Sequence, residues 1–272
     1  MTGGLDGGEP AAVAERICQS GRVSGPIEWL FLLGAGLIAG IIGTAGGITS
    51  LVAYPALLAV GLPPLTANVT NSVALLGSGF GAALRAGDDL TGHRRTIRRW
   101  LPIVVLGSVA GAVLLVTTPA PVFDRIVGFL VAIGSTILLL QPRIASWQAT
   151  RHRPPRTGPV VGAGVGIAVY NGYFGAGSGV LMIALLLLTA EPVLHRANSL
   201  KNVLLFAADL LPAVLFAVLG TVAWSAVWPL GIGALAGGLI GPSVARWLPP
   251  GLLRVLIAAC GFLLAGWLWL RT

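Results

Sequence analysis

The sequence predicts an all-α polytopic membrane protein of two inverted repeats, each with a glycine-interrupted, re-entrant helical hairpin plus three transmembrane helices. Three observations lead there. Of 272 residues, 56% are apolar and only 10% charged, with a mean hydropathy of +0.90. A soluble domain carries about 25% charged residues, so this chain cannot cover a water-facing surface. Apolar runs lie at 27–61, 67–85, 100–117, 123–141, 159–190, 198–219, 223–242 and 251–270, and six of them match one crossing of about 17–25 residues. The other two, 27–61 and 159–190, are longer, and each carries a glycine cluster near its centre.

Residues 1–26 lack the basic start and apolar run of a secretory signal and read as a mobile tail, with one helical turn around 11–18. The first repeat occupies 27–141. Its opening run is interrupted at Gly43-Thr44-Ala45-Gly46-Gly47, because glycine is weak in helix interiors. The basic stretch 142–158 is a linker, and the second repeat occupies 159–272. Its opening run is interrupted at Asn171-Gly172-Tyr173-Phe174-Gly175-Ala176-Gly177-Ser178-Gly179. Gly34-Ala35-Gly36 and Gly162-Ala163-Gly164 stand 128 positions apart, and Ala67-Asn68 and Ala197-Asn198 stand 130 apart. Interrupted apolar segments at matching places in two halves point to a transporter's binding site.

Loop arginines set the orientation. Arg85, Arg94, Arg95, Arg98 and Arg99 before the third run, and Arg143, Arg151, Arg153 and Arg156 in the linker, place both loops in the cytoplasm. If the fifth run enters and leaves on one side, Arg246 and Arg254 also fall inside, with Arg125 the main exception. Each hairpin arm is then about 14 residues, roughly 21 Å of helix, too short to span alone. Eight plain crossings with two kinked helices is the other arrangement.

Non-helical backbone inside a membrane lines a cavity or is buried in protein, and a helix restarting after such a break offers amides to an anion. Thr44, Gly46, Gly47, Tyr173, Gly177 and Ser178 are therefore candidate substrate-binding residues. Scattered glycines at 107, 111, 231, 233, 237 and 238 read as close helix packing. The starts of the second and sixth runs add Asn68, Asn71, Ser72, Asn198, Lys201 and Asn202 as candidates. One such residue suffices as an N-cap, whereas three or four gather at each place. Lys201 is the chain's only lysine, and its first-half equivalent is Asn71. Asp209 falls mid-segment, where charge is costly; it either pairs with an arginine or takes up a proton during transport.

His93, His152 and His195 lack metal-site spacing, and Cys18 and Cys260 lack a disulfide or ligand pattern. No nucleotide-binding or catalytic motif is recognisable, so no enzyme activity, metal or cofactor is expected. The net charge of +8 reads as loop arginines rather than a nucleic-acid surface.

The run from Gly43-Thr44-Ala45-Gly46-Gly47 through Pro55-Ala56-Leu57-Leu58, Gly61-Leu62-Pro63-Pro64 and Ala67-Asn68-Val69-Thr70-Asn71-Ser72 resembles the sulfite exporter (TauE/SafE) family. Gly172-Tyr173-Phe174-Gly175-Ala176-Gly177-Ser178-Gly179 and Ala197-Asn198-Ser199-Leu200-Lys201-Asn202 continue the likeness. Many members carry an unbroken glycine run where this chain has Thr44-Ala45. The resemblance implies a transporter of small sulfur-containing anions such as sulfite or organosulfonates, often outward. The expected function is thus a secondary transporter working by alternating access in the cell (inner) membrane, with a proton or substrate gradient as driving force. A passive anion channel and a membrane enzyme or assembly factor handling a sulfur compound are the alternatives. Expected partners are a small anionic substrate and the lipid bilayer, with a homodimer as an open arrangement.

Overall fold

A computed structural model describes residues 25–149, 157–244 and 250–271. In chain order the helices are α1 (Pro26–Gly46), α2 (Thr49–Ala59), α3 (Pro64–Ala74), α4 (Leu76–Arg85), α5 (Arg94–Thr117), α6 (Ala120–Ala149), α7 (Thr157–Tyr173), α8 (Ser178–Thr189), α9 (Leu194–Leu219), α10 (Trp224–Val244) and α11 (Pro250–Arg271), with a 3₁₀ turn at Asp88–Leu90. No strand occurs among the described residues, so the all-α expectation holds. Among the described residues, five helical stretches have the length and apolarity to cross a membrane: Pro26–Gly46, Arg94–Thr117, Ala120–Arg143, Leu194–Leu219 and Trp224–Gly241. The chain is built as a polytopic membrane protein.

Glycines let the helices approach closely. A methyl group at Gly36, Gly40, Gly233 or Gly237 would overlap the facing backbone of the α1–α10 pair. Gly107 and Gly111 of α5 meet α7 in the same manner. This is the packing that small residues permit between membrane helices, as the sequence suggested for Gly107, Gly111, Gly233 and Gly237. In both pairs the contacts advance together along the two chains, so α1 runs parallel to α10 and α5 runs parallel to α7.

Two sets of polar contacts mark the ends of the bundle. At one end His93 Nε2 donates to Glu191 Oε2 at 2.6 Å, Ser199 Oγ donates to Asp89 Oδ2 at 2.6 Å, and Arg85 reaches Ser243 Oγ at 3.2 Å. At the other, the Ala223 amide donates to Thr70 Oγ1 at 3.0 Å and Thr66 pairs with Thr221 at 3.1 Å. Thus the loop after α8 joins the loop before α5, and the start of α3 joins the turn between α9 and α10.

Several local expectations need correction. The hairpin arms are unequal: α1 has 21 residues, α2 11, α7 17 and α8 12. Gly43 and Gly46 lie within α1, with Gly43 packed closely against Thr49 at the start of α2. The helix ends at Gly47, whose φ of 77° favours glycine. Likewise Asn171, Gly172 and Tyr173 finish α7, and the break proper spans 174–177. The helices carrying Asn68 and Asn198 start earlier than the polar clusters. Proline at the first turn opens α3, and Val193 precedes α9 without a side-chain cap. The asparagines are therefore interior residues, and N-capping does not account for them. α6 continues to Ala149 through Pro142, into the stretch read as linker. The turn expected at 11–18 and Arg151, Arg153, Arg156 and Arg246 lie outside the described residues.

Candidate functional site

The two hairpin breaks meet in the middle of the bundle. Gly47 and Gly179 approach so closely that a methyl on either would sit within 2.6 Å of the other's backbone. Around them a cavity of about 100 Å³ is lined by Thr44 and Gly47 of the first break, Ser178 and Gly179 of the second, and Asn71, Ser72, Lys201, Asn202 and Asp209 from α3 and α9. Thr49 and Ser50 at the start of α2 line it as well. The amino ends of α2 and α8 thus both open onto this space, and helix amino ends carry partial positive charge.

Lys201 is buried, at 2% exposure, so it does not snorkel to an interface. It lies well inside α9, and it contacts the first hairpin rather than the second. Its Nζ donates to the Gly43 carbonyl at 3.3 Å. That carbonyl belongs to the last turn of α1, where a cation is favoured by the helix dipole. Lys201 thus sits inside α9, beside the carboxyl end of α1. No carboxylate lies within salt-bridge distance of it among the described residues.

The free carbonyls that end α1 are satisfied from α9. Thr44 O accepts from Asn198 Nδ2 at 2.8 Å and from Asn202 Nδ2 at 3.3 Å. The end of α7 is treated alike from α3, where Asn68 Nδ2 donates to Tyr173 O at 3.0 Å. A carbonyl partner fixes the orientation of these amides. Asn71 differs, because its Nδ2 meets Ser50 Oγ at 3.2 Å, and a hydroxyl can accept or donate. Its Oδ1 is buried and has no hydrogen-bond partner among the described residues. Ser72 Oγ donates to the Asn68 carbonyl on its own helix.

Of the predicted residues, Thr44, Gly47, Asn71, Ser72, Ser178, Lys201, Asn202 and Asp209 are brought together on the cavity. Asn68, Asn198 and Tyr173 serve the hydrogen bonds just described. Tyr173 turns its ring toward Phe123 and its hydroxyl toward Thr118. Gly46 lies outside the lining, and Gly177, with φ 81°, faces Gly134 of α6. The sequence reading passed over Asn171, Ser50 and Ser78. Asn171 donates to Asp209 Oδ1 at 2.6 Å and accepts from Ser178 Oγ at 2.6 Å. An asparagine opening a glycine-rich break was the available signal.

A multi-pass helical bundle around a buried polar cavity, with glycine breaks meeting inside it, defines a membrane transport protein. The chain matches the family described as Sulfite exporter TauE/SafE over residues 30–268 and belongs to that family. It is similar to a "Probable membrane transporter protein" of Haemophilus influenzae, 25% identical over 84% of this chain and 89% of the relative. A Sinorhizobium "Probable membrane transporter protein ORF9" is 28% identical over 78% and 80%, and Escherichia coli YfcA, a "Probable membrane transporter protein", is 24% identical over 75% and 76%. No solved structure matches. The protein is a membrane transporter, not an enzyme.

Proposed function

We propose that the protein is a secondary transporter, working as an exporter, for a small sulfur-containing oxyanion such as sulfite. The observation that carries this reading is the convergence of the buried Lys201 side chain and the amino ends of α2 and α8 on one cavity of about 100 Å³. Such a volume suits an anion of a few heavy atoms better than a bulky organosulfonate. Lys201 supplies charge, Ser178, Asn71 and Asn202 supply directed polar groups, and Asp209 supplies a group able to exchange a proton.

The transport cycle in this reading is alternating access between inverted repeats 27–141 and 159–272 in the cell membrane. Three features support it. The His93–Glu191 contact brings the end of α8 back to the level at which α5 begins, while α7 runs parallel to α5. Leu58 and Gly61 share a second cavity with Trp267 and Leu268 at the far end of α11. Finally, Arg85, Arg94, Arg95, Arg98, Arg99 and Arg196 gather at the His93 end, which fits a cytoplasmic face. Each hairpin is then re-entrant from its own side, with a long first arm and a short return.

Anion flux into proteoliposomes, run across sulfite, thiosulfate, small sulfonates and carboxylates with and without a pH gradient, tests the proposal. Saturable sulfite flux that responds to the gradient is expected. Flux of none of these anions would refute it.

A further inference from the structure

Asn171 bridges three helices at the second break. It lies in the last turn of α7, its Nδ2 donates to Asp209 Oδ1 of α9 at 2.6 Å, and its Oδ1 accepts from Ser178 Oγ, the first residue of α8, at 2.6 Å. Ser178 Oγ also lies 2.8 Å from the Gly175 carbonyl inside the break, and Asn171 Nδ2 lies 3.3 Å from Ser108 Oγ of α5. The bridge is polar at both ends and directional, because a primary amide donates on one side and accepts on the other.

We infer that Asn171 is a positioning residue that passes the protonation state of Asp209 to the hairpin tip. An ionised Asp209 only accepts, so the NH₂ of Asn171 must face it and the carbonyl must face Ser178, as found. That order draws the Ser178 hydroxyl onto Asn171 and ties α8 to the end of α7. When a proton is added to Oδ1, the carboxyl becomes a donor. Donor then meets donor, and the bond is relieved by turning the amide so that Oδ1 faces Asp209 and NH₂ faces Ser178. The Ser178 hydroxyl now accepts from Asn171, and its own proton is free for Gly175 O or for an anion in the cavity. One proton on α9 thereby changes what the amino end of α8 offers to substrate. Among the described residues Lys201 is the other ionisable side chain on this cavity. The neighbouring α4, α5 and α8 face the cavity or the bridge with Ser78, Gly79, Ser108 and Ser178. The inference rests on the reading of Asp209 as a proton-exchanging group, yet it can be tested without substrate.

The test is hydrogen exchange of the purified full-length protein, following peptides over 174–181 and correcting for intrinsic chemical rates. Scanning from about pH 4 to about pH 9 spans ordinary and buried carboxyl groups. Protection of the tip is expected to change roughly fivefold or more across one titration in the wild type. Asp209→Asn should remove that change, and so should Asn171→Leu, although Asp209 is intact in the latter. Should Asn171→Leu fail to fold, Ser178→Ala cuts the other end of the bridge and should flatten the response equally. A wild-type pH response preserved in Asn171→Leu or in Ser178→Ala, or a wild-type tip indifferent to pH, would overturn the inference. A tip that responds as expected in a protein that moves no sulfur oxyanion would overturn the proposed function and leave the bridge standing.

Discussion

Asn68 and Asn198, 130 positions apart, make the same bond in opposite directions across the molecule. Asn68 Nδ2 donates to the Tyr173 carbonyl at 3.0 Å, and Asn198 Nδ2 donates to the Thr44 carbonyl at 2.8 Å. Thr44 and Tyr173 each lie within the last three residues of the helix that precedes a break, α1 and α7 respectively. An asparagine from each half of the chain thus bonds the carboxyl end of the helix that precedes the break in the other half. Helix ends leave carbonyls without intrahelical partners.

Removing either amide leaves a buried carbonyl short of a donor, at about 1–3 kcal/mol. Asn68→Ala should be the more damaging, because Thr44 O retains Asn202 when Asn198 is lost. Thermal unfolding of the two alanine variants in detergent checks the order. Equal, negligible shifts would show that the crossed bonds do not hold the hairpins.

At Lys201 the expected loss is in substrate binding. A hydrogen bond to a charged group contributes about 1.5–3 kcal/mol, roughly ten- to a hundredfold in affinity. Lys201→Met keeps the packing and should lose that much sulfite binding. Lys201→Arg should fall between, since a planar fork replaces a compact ammonium against the Gly43 carbonyl. Asn71→Ala, the neutral equivalent in the other half, should lose less. Equilibrium sulfite binding to folded, purified variants is the measurement, and unchanged binding in Lys201→Met would remove the lysine from the site.

Two left-handed glycines separate contact from conformation. Gly47 has φ 77°, and an added Cβ would lie 2.5 Å from Gly179 C and 2.7 Å from Val180 N. Gly61 has φ 89° and nothing within 4 Å. Alanine at Gly61 should carry only the conformational cost of about 1–2 kcal/mol. Alanine at Gly47 carries that cost and also forces the breaks apart, so it should abolish transport. Comparable behaviour of the two variants in stability and flux would refute the close meeting of the breaks.

Acid should loosen one end of the bundle. The Val193 amide, at 2.9 Å, and then His93 hold the Glu191 carboxyl below its usual pKa. For a carboxyl lowered on folding, the stabilisation is complete above the ordinary glutamate value of about 4.3 and is lost as pH falls through the lowered one. Glu191→Gln should therefore unfold at a lower temperature than wild type near neutral pH, and the gap should close on acidification. A gap independent of pH in thermal scans would assign the effect to shape rather than charge.

The sequence made the helical class, the two breaks and the paired polar clusters legible, because each is a local pattern. Apolar length gives crossings, and dense glycine gives interruption. What Lys201 touches was not legible: Gly43 lies 158 positions away, in the other half, and nothing local to either residue indicates the pairing. The capping alternative failed for a nearer reason, since Pro64 and Leu194 start their helices several residues before the asparagines. Asn171 was hidden inside a run read for its glycines. Its role appears only when α9 brings Asp209 against it.

Carriage of a sulfur oxyanion through this cavity by alternating access is read out by sulfite counterflow in proteoliposomes. Labelled sulfite should leave vesicles faster when unlabelled sulfite is present on the opposite side, and Lys201→Met should lose that acceleration. Flux through the wild-type protein that is indifferent to sulfite on the opposite side would rule out such a carrier.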